Sequence, residues 1–249
     1  VSEERLRLFL DIETSPLQVF VWQLGDLHVD YKSIIKDRAI ICICWKWEGE
    51  QSVQYLTWDR RQNDKAMLKE FIPVIDSATE IVMHNGDRFD LPWIRGRAML
   101  HGLPMRPSYT TVDTLKLSRK QFKLPSNRLD ALGRQLLGEQ KLTTGFGLWR
   151  DICLDKCPES LKKMVEYCQQ DVLLLEKFYN KIAPYIKPTT SIARYASDCP
   201  WCGSSKTGQH NRIKLVSGRV NISFRCRNCA KYHTIPESRL KSNKELSAA

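Results

Sequence analysis

Asp11 and Glu13 close the run Leu8-Phe9-Leu10-Asp11-Ile12-Glu13-Thr14. Along an extended strand alternate side chains share a face, so both carboxylates point the same way. Two like charges on one face repel, and a divalent cation relieves that repulsion, since hard ions such as Mg²⁺ take oxygen ligands. A solvated pair of strand-end acids is the plain alternative, and further acids in matching contexts decide between the two. His84-Asn85-Gly86-Asp87-Arg88-Phe89-Asp90 supplies one such context. A strand ends, a glycine-containing turn follows, and Asp90 falls at a helix start, where a carboxylate complements the helix dipole and can cap the first turn. Glu166-Tyr167-Cys168-Gln169-Gln170-Asp171 supplies another. Tyr167 and Asp171 stand four apart on a helix and share a face that adjoins apolar positions. A carboxylate there must be paired, hydrogen-bonded or metal-bound, because burying it alone is costly.

A second constellation lies near the C-terminus. Cys199-Pro200-Trp201-Cys202 and Cys226-Arg227-Asn228-Cys229 form a C-x2-C…C-x2-C pattern with 23 residues between the pairs. Two such knuckles can close a tetrahedron of thiolates around a structural Zn²⁺. Four cysteines leave no vacancy for His210 or His233 and no open position for a catalytic zinc. A redox pair is the competing reading. The other five of the nine cysteines (Cys42, Cys44, Cys153, Cys157 and Cys168) are scattered. That argues against a disulfide framework and sets the expectation of a reducing, cytoplasmic setting. No secretory leader pattern is read, and no apolar run approaches bilayer length, so no membrane partner is expected.

These residues need elements to position them. Residues 5–13, Gln18–Leu24, Arg38–Trp47, Ser52–Trp58, Glu80–Met83 and Tyr109–Val112 read as strands, rich in β-branched and aromatic residues. Helical spacing covers Asn63–Asp76, Phe89–Leu100, Thr114–Phe122, Asn127–Leu137 and a long segment from Pro158 to about Ile182. Lys141–Trp149 reads as a loop. Strands come early and helices later, which suits an α/β mixed sheet with helices packed on its faces. Near the C-terminus Arg212–Val216 and Val220–Phe224, joined through Gly218, read as a hairpin, with Tyr232–Ile235 as a third short strand.

Charge divides the chain the same way. From Lys187 onward 12 Lys and Arg face 3 acids, whereas the first 186 residues hold 27 basic against 25 acidic groups. The expected organisation is therefore a nearly neutral domain over 1–186, a Pro/Thr/Ser linker over 187–196, and a basic module over 197–249. A concentrated basic region points to a polyanion, usually nucleic acid. Arg212, Lys214, Arg219, Arg225, Arg227 and Lys231 are candidate phosphate contacts, and Phe224 and Tyr232 candidate stacking aromatics.

In order, D-x-E at Asp11 and Glu13, N-x-x-x-F-D at Asn85 to Asp90 and Y-x-x-x-D at Tyr167 to Asp171 resemble the DEDD-type (DnaQ-like) 3′–5′ exonucleases of the tyrosine subclass. The stretch His84–Arg97 is also similar to the matching region of family B DNA polymerase proofreading domains. The resemblance covers roughly residues 5–185 and implies a ribonuclease H-like fold, while the cysteine module resembles a zinc ribbon. It implies that Asp11, Glu13, Asp90 and Asp171 hold two Mg²⁺ or Mn²⁺ ions and that Tyr167 positions the attacking water. The physics agrees with such a set. Phosphodiester hydrolysis builds charge on the attacking and leaving oxygens, which two cations can stabilise. A tyrosine with its ordinary pKa near 10 is a poor base and suits orientation better.

Within that resemblance Thr14 and Asn85 are expected to contact the substrate, Asp113-Thr114 to be strand-end structure, and Phe89 to be core. The expected function is a metal-dependent 3′–5′ exonuclease on DNA with a nucleic-acid-gripping ribbon. It would act alone or beside a separate replication or repair protein, since no polymerase body follows in this chain. A binding or assembly protein on an unused nuclease fold, and an RNA-trimming enzyme, stand as alternatives.

Overall fold

Leu8, Leu10 and Ile12 project from one face of the first strand, β1 (Arg7–Thr14), and Phe9, Asp11 and Glu13 from the other. Everything in the larger part of the fold follows from what covers those two faces. The computed structural model describes residues 7–23, 25, 28–138, 145–186, 191, 193 and 195–240. They fall into two compact units divided between Tyr179 and Asn180. Residues 187–190, 192 and 194 of the expected linker, Lys141–Thr144 of the expected loop, Leu24, and the tail 241–249 lie outside the described residues.

After β1 come a short hairpin, β2 (Gln18–Val19) with β3 (Ile34–Lys36), and then β4 (Ile40–Trp47) and β5 (Gln54–Thr57). Helix α1 (Lys65–Ser77), β6 (Glu80–Met83), α2 (Asp90–Leu100), β7 (Thr111–Asp113) and α3 (Thr114–Gln121) follow, then α4 (Leu129–Leu132), α5 (Phe146–Cys153) and α6 (Pro158–Ile182). The main sheet has five strands in the order β5-β4-β1-β6-β7. β1 runs antiparallel to β4 and parallel to β6, so the sheet is mixed. Leu8, Leu10 and Ile12 pack under α1 and α2 with Ile43, Trp45, Phe71, Ile81 and Ile94. The opposite face lies under α6: Phe9 meets Tyr179 edge-on with ring centroids 5.7 Å apart, and Cys168 reaches Asp11. The two carboxylates of the D-x-E pair therefore sit on the α6 side of the sheet.

Three segments differ from expectation. Gln18–Leu24 yields only the two-residue β2, because its apolar residues find nothing to bury against: Phe20 is 78% exposed and Trp22 fully so. Asn127–Leu137 is helical from Leu129 as expected, but it is α only over α4 and then widens into a π-helical turn over Gly133–Leu137 that ends at Gly138, whose φ of +69° is left-handed. Gly133 is held there by close approach to α6, since a Cβ on it would stand 2.9 Å from the Leu174 side chain. Within Lys141–Trp149 the part from Phe146 is helix rather than loop. Its two glycines mislead, because Gly145 is the residue before the first turn and tolerates that position.

The second unit carries a three-stranded antiparallel sheet, ordered β10-β9-β8, from β8 (Thr207–Lys214), β9 (Val220–Cys226) and β10 (Tyr232–Pro236). Its core is small: Ile222, Phe224 and Ile235. Phe224 is thus a core residue, stacked on His233 at 5.4 Å, and not the exposed stacking aromatic expected of it; period-2 alternation turns it inward with Ile222. Among the described residues no helix is long and apolar enough to cross a membrane.

Candidate functional site

β1 outruns its parallel neighbour. The ladder between β1 and β6 ends at Phe9 opposite Val82, while β1 continues to Thr14. The backbone beyond Phe9 is therefore available on that edge, and the Ile12 N–H there draws the Asp90 pKa down. Asp90 arrives there because the turn after β6 is tight. Asn85 takes a left-handed φ of 68°, a conformation asparagine tolerates better than most residues. Gly86 passes so close to Met83 that a Cβ would stand 2.3 Å from the Met83 Cβ, so no larger residue fits. The Leu91 and Phe89 N–H groups then bond to the Gly86 and Asn85 carbonyls, each at 3.0 Å, and start α2 at Asp90.

The acids converge. Carboxylate oxygens of Asp11, Glu13 and Asp171 lie within 4.8 Å of one another. Asp90 is outside that group, yet its charge acts on Asp11. Burial, then Asp90, Asp171 and Glu13 in that order, push the Asp11 carboxyl well above the ordinary carboxylate range. Burial pushes Asp90 up to about 7 against the backbone N–H groups of Asp90 and Ile12, and the charge of Asp113 adds to the rise. Asp90 Oδ1 is buried with no hydrogen-bond partner. A cluster in which three carboxylates raise the pKa of Asp11, with a buried Asp90 oxygen left unsatisfied, fits divalent cations, which supply the missing positive charge and accept oxygen donors. Tyr167 lies half-buried on α6, one turn before Asp171.

Other side chains hold this cluster in place. The Cys168 thiol, kept protonated by burial, donates to Asp11 Oδ2 at 3.4 Å. Trp149 on α5 donates from Nε1 to the Thr14 carbonyl at 3.0 Å, next to a register shift between Glu13 and Thr14. The far end of α5 is tied by Gln62, whose Nε2 donates to the carbonyls of Ile152 and Cys153 at 2.8 and 3.1 Å. Asp113 Oδ1 accepts from the N–H groups of Asn85, Leu115 and Lys116, so it caps α3 and braces the turn before Asp90, the structural role expected of it. Asp64 anchors the C-terminal end of α2, accepting from Arg97 at 2.7 Å and from His101 at 2.6 Å, and also from the Ile40 N–H at 2.9 Å. Of these supporting residues only Asp113 is singled out in the sequence; Cys168 reads there as one of the scattered cysteines, and Trp149 and Asp64 carry no signal. Phe89, expected in the core, is 38% exposed and lies against Trp93. A cleft of about 300 Å³ opens beside them, lined by Arg38, Arg88, Trp93 and Arg97 among others, with the Arg38 guanidinium 5.0 Å over the Trp93 ring.

In the second unit the four cysteines meet as their spacing requires. Cys199 and Cys229 sulfurs stand 3.5 Å apart, Cys202 and Cys226 3.7 Å, and all four ligand atoms lie within 4.8 Å. Tetrahedral Zn²⁺ with Zn–S near 2.3 Å needs sulfurs about 3.8 Å apart, so the cluster is compatible with zinc. Against burial, the Cys229 and Asn228 N–H groups help bring the Cys226 thiol down to about 7. His233 stacks on Phe224 and His210 meets Tyr232 edge-on, and neither belongs to the cluster. Arg212 pairs with Glu237 at 2.9 Å, Arg225 lies 5.7 Å over the exposed Tyr232, and Lys231 lies 5.0 Å over Trp201. Lys214 and Arg227 are exposed.

Comparison with known proteins agrees with this architecture. Residues 8–183 match the profile of the RNase H superfamily. The chain is 22% identical over 179 residues to a DNA polymerase of Methanocaldococcus jannaschii, covering 61% of this chain and 10% of that protein. It is 24% identical over 218 residues to the DNA polymerase delta catalytic subunit of Schizosaccharomyces pombe, covering 72% and 19%. The family B DNA polymerase structure from Pyrobaculum calidifontis superposes with a TM-score of 0.52 at 15% identity, over 73% of this chain and 25% of that one. The chain thus spans only a small part of the length of these relatives.

Proposed function

The chain belongs to the RNase H superfamily, and from that premise we propose that it is a metal-dependent nuclease removing nucleotides from the 3′ end of DNA. The observation that carries this reading is the meeting of Asp11, Glu13 and Asp171, with Asp90 beside them, from three distant segments of the chain. Similarity to proteins named DNA polymerases favours DNA as the substrate.

In this reading Asp11, Glu13, Asp90 and Asp171 hold two Mg²⁺ or Mn²⁺ ions. Bound there, the ions would lower the pKa of a water and neutralise charge on the attacking and leaving oxygens. Tyr167 orients that water. The Cys168 S–H fixes one Asp11 oxygen, so the other is presented in a single orientation. Trp149 fixes the Thr14 carbonyl, and Thr14 and Asn85 contact the terminal nucleotide. The domain spans 1–186 and is joined by 187–196 to a basic module over 197–249. One structural Zn²⁺ on Cys199, Cys202, Cys226 and Cys229 supplies much of that module's folding energy, since its core holds few residues. Arg212, Lys214, Arg225, Arg227 and Lys231 bind phosphates, with Tyr232 available for stacking.

Mg²⁺ or Mn²⁺ supplied with 3′-labelled and 5′-labelled single strands, as matched DNA and RNA, tests the proposal. Stepwise loss from the 3′ end of DNA that disappears in Asp11→Ala supports it. Internal cuts at early times would make the protein an endonuclease, faster loss of RNA an RNA-trimming enzyme. No metal-dependent cleavage, with binding intact, would leave a nucleic-acid-binding protein.

A further inference from the structure

Three buried thiols share the carboxylate face of β1. Cys44 lies across the ladder from Asp11, and Cys42 across from Glu13. Residues opposite one another on antiparallel strands project to the same face. α6 brings the third, Cys168, onto them from above, three residues before Asp171. The three sulfurs lie within 4.8 Å of one another, and none of the three residues has any exposed surface. Cys168 Sγ is 3.4 Å from Asp11 Oδ2. Hydrolysis on oxygen-bound ions uses Cys168 alone, to hold Asp11, and has no use for Cys42 and Cys44 beside it.

We propose that Cys42, Cys44 and Cys168 form a thiophilic metal site, with Asp11 Oδ2 as its fourth donor, that takes Zn²⁺ or a like d10 ion such as Cd²⁺. Thiolate donors select such ions, while Mg²⁺ stays with oxygen, so two adjoining sites sort cations by hardness. The sulfurs need close by less than about 1 Å to reach the separation of about 3.8 Å that a tetrahedral zinc site demands. The path in is the carboxylate cluster itself, because Asp11 and Glu13 are only half-buried. On binding, three S–H protons pass to solvent and three sulfur–metal bonds replace them; no electron is transferred. Asp11 cannot serve both sites fully, so the thiophilic ion withdraws a ligand from the nuclease centre. That inhibitory consequence rests on the nuclease reading, whereas the binding does not.

The full chain, with its four-cysteine cluster filled, is titrated with Cd²⁺ and the thiolate-to-cadmium charge-transfer absorption is followed alongside native mass spectrometry. A sulfur-bound ion is expected beyond the one in the four-cysteine cluster. Its dissociation constant should rise at least roughly tenfold in Cys42→Ala and in Cys168→Ala, the lower end of what losing even a supporting group costs a metal site. Cadmium NMR of the unaltered chain, which separates an S₃O from an S₄ donor set, keeps the test decisive if either variant folds poorly. A single sulfur-bound ion in the unaltered chain, or a second that persists at full affinity in both variants, overturns the proposal. In the activity arm, Cd²⁺ should inhibit Mn²⁺-supported cleavage by the unaltered chain and spare Cys42→Ala. Absence of all cleavage would count against the nuclease reading alone, because the binding arm stands without it.

Discussion

At the scale of single residues, the acidic cluster trades stability for the capacity to hold cations. A carboxyl whose pKa is higher folded than unfolded binds more protons in the folded state between the two values, so stability falls as pH rises through that window. For Asp90 the window runs from the ordinary value near 4 to about 7. Without divalent ions, the unfolding free energy of the larger unit should therefore drop by on the order of a few kcal/mol between about pH 4 and pH 7. Asp90→Asn should flatten the profile, and Mn²⁺ at neutral pH should restore stability to the unaltered chain, since it binds only the folded form. Urea titrations followed by tryptophan fluorescence at a series of pH values measure this; a flat profile for the unaltered chain would contradict it. For catalysis, Asp171→Asn should cost at least about 100-fold in turnover, more than loss of a supporting group would, if Asp171 is the direct ligand proposed above.

At the scale of elements, α2 matters most, because it carries Asp90. Its anchor is Asp64, fully buried and bonded to Arg97, His101 and the Ile40 N–H. Burial alone would raise the Asp64 pKa, but Arg97, the Ile40 N–H and His101 together pull it below the ordinary range. Its contribution to stability is thus present above the unfolded carboxylate pKa and lost as pH falls through the lowered folded value. Asp64→Ala leaves the Arg97 guanidinium without its carboxylate and should cost about 3–5 kcal/mol, read as a shift in denaturant midpoint. Helix α5 is held at both ends, by Trp149 and by Gln62. Trp149→Phe removes one hydrogen bond, so it should cost only about 1 kcal/mol of stability while lowering cleavage, because the Thr14 carbonyl loses its fixed position.

Elements also mark how far the sequence could be read. β1, β6, α2 and α6 were legible with their acids, because alternation, the Gly86 turn and helical spacing are local. The Asp64 anchor joins residues 33 and 37 apart and the Trp149 bond residues 135 apart, and neither leaves a local periodic trace. The π-turn at Gly133 answers to Leu174 on α6, a tertiary contact no window around Gly133 contains.

At the scale of the whole molecule, charge and metal divide the labour. The larger unit is close to neutral and carries the acidic cluster, while the basic residues concentrate after Lys187. Carboxylates crowded at one centre repel a polyanion, and the basic residues after Lys187 are suited to offset that repulsion. If the second unit grips the strand, binding should weaken steeply with salt, since each phosphate neutralised releases counterions. Arg225→Ala and Arg227→Ala should each reduce the slope of log affinity against log salt by about 1 and weaken binding to different sequences alike. The same result should follow when a strong chelator removes zinc, because the sheet around Ile222, Phe224 and Ile235 is too small to hold its arginines in place alone. Such a chelated sample, resupplied with excess Mn²⁺, should still cleave short strands at saturating substrate, with its loss confined to apparent affinity. Filter binding across a salt series, with kcat and KM measured separately, distinguishes this from a ribbon that docks a protein, for which chelation would leave the salt slope unchanged.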